Sequence, residues 1–580
     1  MRLSPERSPT QPQPVRLRGW AALALAILGL GAVPWTATAA LVAPSAHPQE
    51  AAAAPRGPVL EPVEIRAEQV ANALQSVGLS ADGTAPIRIG VPELRRQLVY
   101  QFGSQALDSR KVDVFIEQER AAQIAAGVSP ERFEIGEQEV KRKVEEALQS
   151  VRDQYPTLDP AVVLSYNNID IRNLERMTRQ STMFDIVFLP ENPDEWPATT
   201  AEAIKGRMSE AFVTQLKDGY AKRQEALANM TEEERAKAKQ SQGIFQMLLR
   251  TQVQQELNAA AKIEWASEGL PVEVAMRING RDIPVAEVYA DIESSLTSQQ
   301  IEEARRWMAK CALLEAVLQR AGKLLSEEEF APLYEAHVHP PGESVFPMET
   351  VIRQFQKFPS MDVYRQYYRL LASYERMIAG ELDDQNLQAH FDARGNRLLN
   401  LGTVDAELIL CAAFDFEQNR WHPDGWKAAA EEALQVTEAL AAAEGSNWDE
   451  LLERHSDFWD PPAPTQAQAQ PNAARKKNKG RLGAMNRNEM LQILGESDYR
   501  IFLEGGSVTD EIFFALEEGQ VGGPYAGPHG YYIVRILARN APTLARNLAE
   551  ANFRETVRQD YLATRFSGFA AAACDSAEVE

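Results

Sequence analysis

Apolar residues recur at helical spacing over most of the stretch from Val63 to Asn400. Leu94, Leu98 and Phe102 fall on one face of a first long helix. A second amphipathic run from Val112 to Ile124 stops at Gly127, where a left-handed glycine ends a helix. Ile135 to Val140 leads into a charged helix that reaches Arg152. Tyr155-Pro156 breaks it, and a further helix runs to Phe184. The β-branched and aromatic segment Asp185-Ile-Val-Phe-Leu-Pro190 reads as a short strand. A similar order returns later. Trp307 to Leu318 is apolar-periodic and ends at Gly322. Ser326 then caps a new helix with Glu329 three residues on, a capping box. Phe358-Pro359 breaks the chain and Tyr364 to Ile378 resumes it. The recurrence reads as duplication of one helical module, although any two helical bundles can share such punctuation. Two copies are too few for a solenoid, so each needs its own core.

Past residue 400 the pattern changes to short apolar runs broken by glycine. The expected fold class is α+β, with mostly helical N-terminal modules, a small antiparallel sheet domain and a closing C-terminal helix. The expected divisions are a leader at 1–40, an Ala/Pro linker at 41–62, a helical module at 63–190 and a charged helical connector at 191–271. A second helical module at 272–400, a sheet domain at 401–542 and a C-terminal helix and tail at 543–580 complete the chain. In the connector, Thr231 to Lys239 reads as a solvated face, whereas Ile244, Met247, Leu248 and Val253 form a packing stripe. Residues 461–479, rich in Pro, Gln and Ala and ending in Arg475-Lys-Lys-Asn-Lys479, read as a disordered insertion.

Of the 580 residues, 44% are hydrophobic and 25% charged, enough apolar material for more than one core. The formal charge of -23 opposes phosphate binding, so nucleic acid is not an expected partner. Three cysteines are too few for a disulfide framework. No Cys/His spacing suggests a metal, and His337-Val-His339 followed by Pro340 reads as a loop feature; no cofactor is expected. Arg2, Arg7, Arg16 and Arg18 precede an apolar stretch from Trp20 to Trp35, and Ala37-Thr38-Ala39 offers a small-residue cleavage site. This is the layout of a secretory signal peptide. Extended through Ala43 the stretch is long enough for an uncleaved anchor. Either form places the rest of the chain outside the cytoplasm, in a periplasm or cell envelope.

The motifs of the sheet domain carry a family resemblance. Ala406-Glu-Leu-Ile-Leu410, Gly480-Arg-Leu-Gly483, Phe514-Ala-Leu-Glu-Glu-Gly519, Gly522-Gly-Pro524 and Gly530-Tyr-Tyr-Ile-Val-Arg535 resemble, in order and spacing, the parvulin (PpiC) family of peptidyl-prolyl cis-trans isomerases. The surrounding helical architecture resembles the SurA-type periplasmic chaperones. The resemblance implies a proline cup with Met490 and Phe514 as walls and Phe502 as a candidate second aromatic wall. It also marks where this chain departs from the family. Leu408 and Tyr532 stand where the family has histidines, and Phe458 stands where it has a Cys or Asp, with Asp457 beside it. Gly527 replaces a frequent Thr, and Arg481 a frequent Asp. Prolyl isomerisation crosses a barrier of roughly 18–20 kcal/mol without a covalent intermediate, so the cup must hold the ring and favour the twisted amide. Tyr532 and Asp457 are the candidate catalytic groups. Leu408, Phe458, Met490, Phe502 and Phe514 are the candidate substrate-binding residues.

The expected function is an exported folding factor that binds unfolded or proline-containing polypeptides, with weak isomerase activity because both family histidines are replaced. A non-catalytic holdase and a membrane-anchored envelope scaffold are the alternatives. N-terminal sequencing of the protein recovered from the envelope is expected to start just after Ala39. An intact Met1 would instead identify residues 20–43 as an anchor.

Overall fold

A computed structural model of the chain describes residues 60–154, 160, 171–190, 195–198, 200, 249–265, 269–340, 348–394, 402–416, 420–422, 424–458, 479–540 and 547–578. The first part runs β1 (Val63–Ile65), α1 (Ala67–Ser76), β2 (Ile87–Ile89), α2 (Val91–Phe102), α3 (Ser104–Ala125), α4 (Glu137–Gln154) and α5 (Ile171–Phe188). The middle runs β3 (Ile263–Trp265), β4 (Val274–Ile278), β5 (Arg281–Pro284), α6 (Val285–Ile292), α7 (Ser298–Arg320), α8 (Glu327–Val338), α9 (Met361–Met377) and α10 (Asp384–Arg394). Next come β6 (Thr403–Ala412), β7 (Phe414–Asp415), β8 (Arg420–Trp421), α11 (Gly425–Ala442), α12 (Trp448–His455) and β9 (Arg481–Met485). Then follow α13 (Arg487–Leu494), α14 (Asp498–Glu504), β10 (Val521–Gly527), β11 (Gly530–Asn540) and α15 (Ala551–Ser576). The fold is mostly helical α+β, with small antiparallel sheets and a long closing helix. Among the described residues no helix is long and apolar enough to cross a membrane. The expected leader and all but the last residue of the insertion at 461–479 lie outside the described residues, as does most of the charged connector.

The chain divides into two compact units. Ile116–Ala260 belongs to one; 60–115, 261–458 and 479–578 belong to the other. The division cuts the expected first helical module inside α3. The cause is α2, whose Leu94, Leu98 and Val99 are fully buried and which packs on α6 and α7 rather than on the helices that follow it in sequence.

In the smaller unit α4 packs against α5 through Val151 and Leu174. The expected strand from Asp185 is instead the last turn of α5. Phe184, Val187 and Phe188 are buried, and their spacing of three and four is helical; strand-like composition yielded to that period. Arg250, buried, forms a two-pronged pair with Asp185 at 2.5 Å.

The larger unit holds the other expected elements. Ser326 caps α8, accepting from the Glu329 N–H at 3.3 Å, while the Ser326 N–H donates to the Glu329 carboxylate at 3.0 Å. Gly322 ends α7 at φ +65°, as its position suggested. His337 lies in the last turn of α8, stacked on Tyr368 at 4.2 Å and bonded to the Tyr364 hydroxyl at 2.7 Å. The order strand, short helix, long helix, glycine, two helices occurs around both Gly127 and Gly322.

Four strands in the order β10-β11-β6-β9 make an antiparallel sheet with helices on both faces. Alternate residues of β6 divide between two cores, as a pleated strand requires. Ile409 and Cys411 join Trp448 and Leu452 of the α11–α12 face, whereas Leu408 and Leu410 join Met490 and Ile512 of the α13 face. The long segment after Met490 forms α14, and α14 leaves the sheet. Its Tyr499 stacks on Trp307 of α7 at 5.0 Å and its Phe502 meets the same indole at 5.1 Å. Phe502 also stacks on Phe566 of α15 at 5.8 Å. The closing helix docks on the helical part as expected. Val557 and Leu562 are buried, Leu548 packs on Val557, and Tyr561 meets His390; Leu544 lies outside the described residues.

Gly480 sits at φ +76° against the Leu408 carbonyl; a Cβ there would lie 1.7 Å from that oxygen. Gly483, at φ +73°, has nothing within 4 Å. Gly483→Ala is therefore expected to cost about 1–2 kcal/mol, the left-handed backbone term alone. Gly480→Ala is expected to cost about 3 kcal/mol or more in a urea titration, because the strand must also move. Equal losses would show that the carbonyl yields freely.

Candidate functional site

Strand register brings Leu408 and Tyr532 together. Tyr532 opposes Leu410 and Val534 opposes Leu408, so Leu408 and Tyr532 share one face at diagonal positions. Met490 reaches the same face because Asn486 caps α13: the Glu489 N–H donates to Asn486 at 3.0 Å and the Asn486 N–H to Glu489 at 2.8 Å. Phe458 arrives from the segment after α12. The loop before it is pinned by Ser456, whose hydroxyl donates to the Leu408 carbonyl at 3.3 Å and accepts from the Leu410 N–H at 3.4 Å. The Leu408 N–H donates to the Gly480 carbonyl at 2.9 Å where β9 bulges away. Leu408, Phe458, Met490 and Tyr532 thus belong to one apolar cluster. None is more than 8% exposed.

Tyr532 takes its volume from Gly527. A Cβ at Gly527 would lie 2.5 Å from the Tyr532 ring. The Tyr532 ring thus fills the space that the missing side chain at Gly527 leaves. Burial pushes the Tyr532 phenol well above its ordinary value, while a hydrogen bond with the His529 backbone pulls the other way. The hydroxyl stays protonated and can donate, but it cannot act as a base at neutral pH.

The other predicted residues do not join this cluster's centre. Asp457 is half-buried, its N–H donating to the Leu410 carbonyl at 2.9 Å. Burial pushes the Cys411 thiol up, and the Glu432 and Asp457 charges add to that shift. Cys411 lies on the opposite face of the sheet from Tyr532. Phe502 lies in the Trp307 core. Phe514 is half-buried at the cluster's edge, with the Arg394 guanidinium 3.8 Å from its ring centre; its neighbour Phe513 is the buried one. Sequence reasoning places His529 on a loop facing water and does not single out Phe414 or Phe416. Their rings meet at 5.0 to 5.5 Å where β6 ends and the β10–β11 turn begins, all half-buried, and Phe416 packs on the Tyr532 cluster. The signal was the alternation Phe414-Asp-Phe416 running on from the strand.

Arg394 belongs to a charged network. It donates to Asp510 at 3.0 Å and Asp560 at 3.1 Å, His390 bonds Asp560 at 2.7 Å, and Arg487 donates to Asp510 at 2.7 Å. The network ties α10 and α15 to the sheet domain over Phe514.

No protein-family model matches the chain, and no curated protein matches it. Solved structures to which it is similar include chains of PrsA. For the peptidylprolyl isomerase PrsA from Bacillus anthracis the identity is 13% and the TM-score 0.18, over 47% of this chain and 98% of that one. PrsA from Bacillus subtilis gives 13% identity and a TM-score of 0.13, over 52% of this chain and 88% of that one. The Bacillus cereus peptidylprolyl isomerase PrsA gives 14% and 0.17, over 52% and 90%.

Burial alone would raise the Asp560 carboxyl, but the His390 hydrogen bond and the Arg394 and Arg487 charges hold it below the ordinary carboxylate value. A carboxyl depressed on folding stabilises above its unfolded pKa and loses that contribution as pH falls through its folded pKa. Asp560→Asn is expected to lose about 1.5–3 kcal/mol at pH 7. The gap to wild type should close as thermal melts are taken below about pH 4. A gap independent of pH would show that the charge is not what stabilises.

Proposed function

We propose that the protein is an extracytoplasmic folding factor of the parvulin-chaperone kind. It binds unfolded polypeptide, and its parvulin-like sheet domain turns over prolyl bonds slowly. The observation that carries the reading is the cluster of Leu408, Phe458, Met490 and Tyr532. The motif positions converge on one sheet face, which supports the family resemblance. A rate-enhancing cup, however, needs solvent-reachable walls and polar groups aimed at the twisted amide. Here the side chains at the motif positions are packed, and Tyr532 supplies the one polar hydrogen among the four. That packing favours the holdase alternative over efficient catalysis. Client contact falls more naturally to the half-buried rim, where Phe414, Phe416 and His529 present aromatic surface. The SurA-type architecture, the export signal and the roles assigned to Tyr532 and Asp457 belong to the same proposal.

A protease-coupled assay on a prolyl peptide tests the catalytic half. Turnover is expected at least about 100-fold below that of a parvulin carrying both histidines, the scale of losing one positioned donor. Tyr532→Phe should remove what remains. Suppression of aggregation of a heat-unfolded reporter enzyme tests the other half and should survive Tyr532→Phe. Efficient turnover by the wild type would refute slow catalysis, and failure to suppress aggregation would refute client binding.

A further inference from the structure

A cavity of about 220 Å³ lies in the larger unit between α2 and α9, floored by α7 and flanked by α8. Both main walls present a helical stripe at i, i+3, i+4 and i+7, from Glu93 to Tyr100 on α2 and from Asp362 to Arg369 on α9. The rim is charged and half-exposed. The deep residues, Gln97, Tyr100, Phe330, Asp362 and Arg365, are all buried.

A hydrogen-bond chain of fixed polarity ends here. The Trp307 indole N–H can only donate, and it donates to Gln366 Oε1 at 2.7 Å. That orients the Gln366 amide, whose Nε2 donates to Gln97 Oε1 at 3.1 Å. Gln97, one of the cavity's lining residues, is thereby turned so that its own Nε2 is buried and without a hydrogen-bond partner. Gln97 is 3% exposed. A buried amide donor without a partner costs about 1–3 kcal/mol, so the site favours whatever brings it an acceptor.

The lining decides what kind of acceptor. Asp362, 4% exposed, opposes an anion. Arg365, ion-paired with Glu327 and lying 5.0 Å over the Phe330 ring, opposes a cation. A neutral dipole suits both: a carbonyl for Gln97 and an N–H for Asp362, whose carboxylate has about four lone-pair sites. The volume is below the roughly 300–1,000 Å³ of a small-molecule pocket, so it holds one side chain or one bend of backbone. We infer that this cavity binds an amide group of a client polypeptide. The group is either a primary carboxamide side chain or a backbone peptide unit, held between Gln97 and Asp362. The inference rests on the polypeptide-binding reading above and gives it a specific contact remote from the sheet domain.

The test uses the full chain and a fluorescein-labelled, unstructured peptide of Gly, Ser and Gln, read by anisotropy. Gln97→Met removes the donor. Gln97→Glu removes it too but keeps an acceptor for Gln366. Both are expected to weaken binding roughly three- to tenfold, the worth of one amide hydrogen bond. A second peptide with every Gln replaced by Met separates the sources. Equal, Gln97-dependent binding assigns the backbone, and lost binding assigns the carboxamide. Should the variants fail to fold, competition on the wild type decides: acetamide is expected to displace the peptide, acetate and guanidinium at equal concentration are not. Peptide binding that ignores Gln97, displacement by all three solutes alike, or no binding at all would overturn the inference and leave a water-filled hollow. Aggregation suppression measured alongside separates the two readings. If it is intact while peptide binding ignores Gln97, this inference alone falls; if it is absent in the wild type, the client-binding reading falls with it.

Discussion

The larger unit depends on the stacking of α14 aromatics against Trp307. Trp307 is fully buried, and Tyr499, Phe502 and Phe358 all meet its ring. Phe566 extends the cluster to α15, and Tyr367 joins both Phe502 and Phe566. Such ring pairs add about 0.5–1.5 kcal/mol each beyond the area they bury. More important is what they connect. Tyr499 and Phe502 belong in sequence to the sheet domain, Trp307 to the helices before it and Phe566 to the helix after it. A single aromatic core therefore holds three separated segments, so the sheet domain is built into the helical part rather than hung on a linker.

The same core has a polar underside. The Trp307 N–H starts the amide chain that ends at Gln97, and the Tyr499 hydroxyl donates to Glu303 at 2.8 Å while accepting from Gln101 at 3.2 Å. Buried amphipathic rings need such partners. The polarity they impose propagates through the glutamines to the α2–α9 cavity, so packing and binding chemistry are linked through one indole.

One face of the sheet is packed with apolar side chains. The Tyr532 ring occupies the space beside Gly527, and Leu408 brings no buried polar group that would need a partner. A half-satisfied buried polar network costs more than an apolar core. Across the sheet Glu407 and Arg535 pair at 2.6 Å and Arg535 lies over Trp448 at 4.7 Å. Charge is thus retained on the face away from Tyr532.

Local rules settled much of this molecule in advance. Helix stops at Gly127 and Gly322, the Ser326 cap and the α+β class follow from short-range chemistry: φ sign, side-chain reach and hydrophobic period. Where composition and period disagreed, at Phe184 to Phe188, period won. Tertiary structure decided the rest. Phe502 and Phe514 are equally aromatic in sequence, yet one is drawn into the Trp307 core and the other placed under Arg394, because the partners come from helices distant in the chain. The loose donor on Gln97 exists only once Trp307 and Gln366 are brought beside it. No sequence window contains all three, so only the fold could orient that amide.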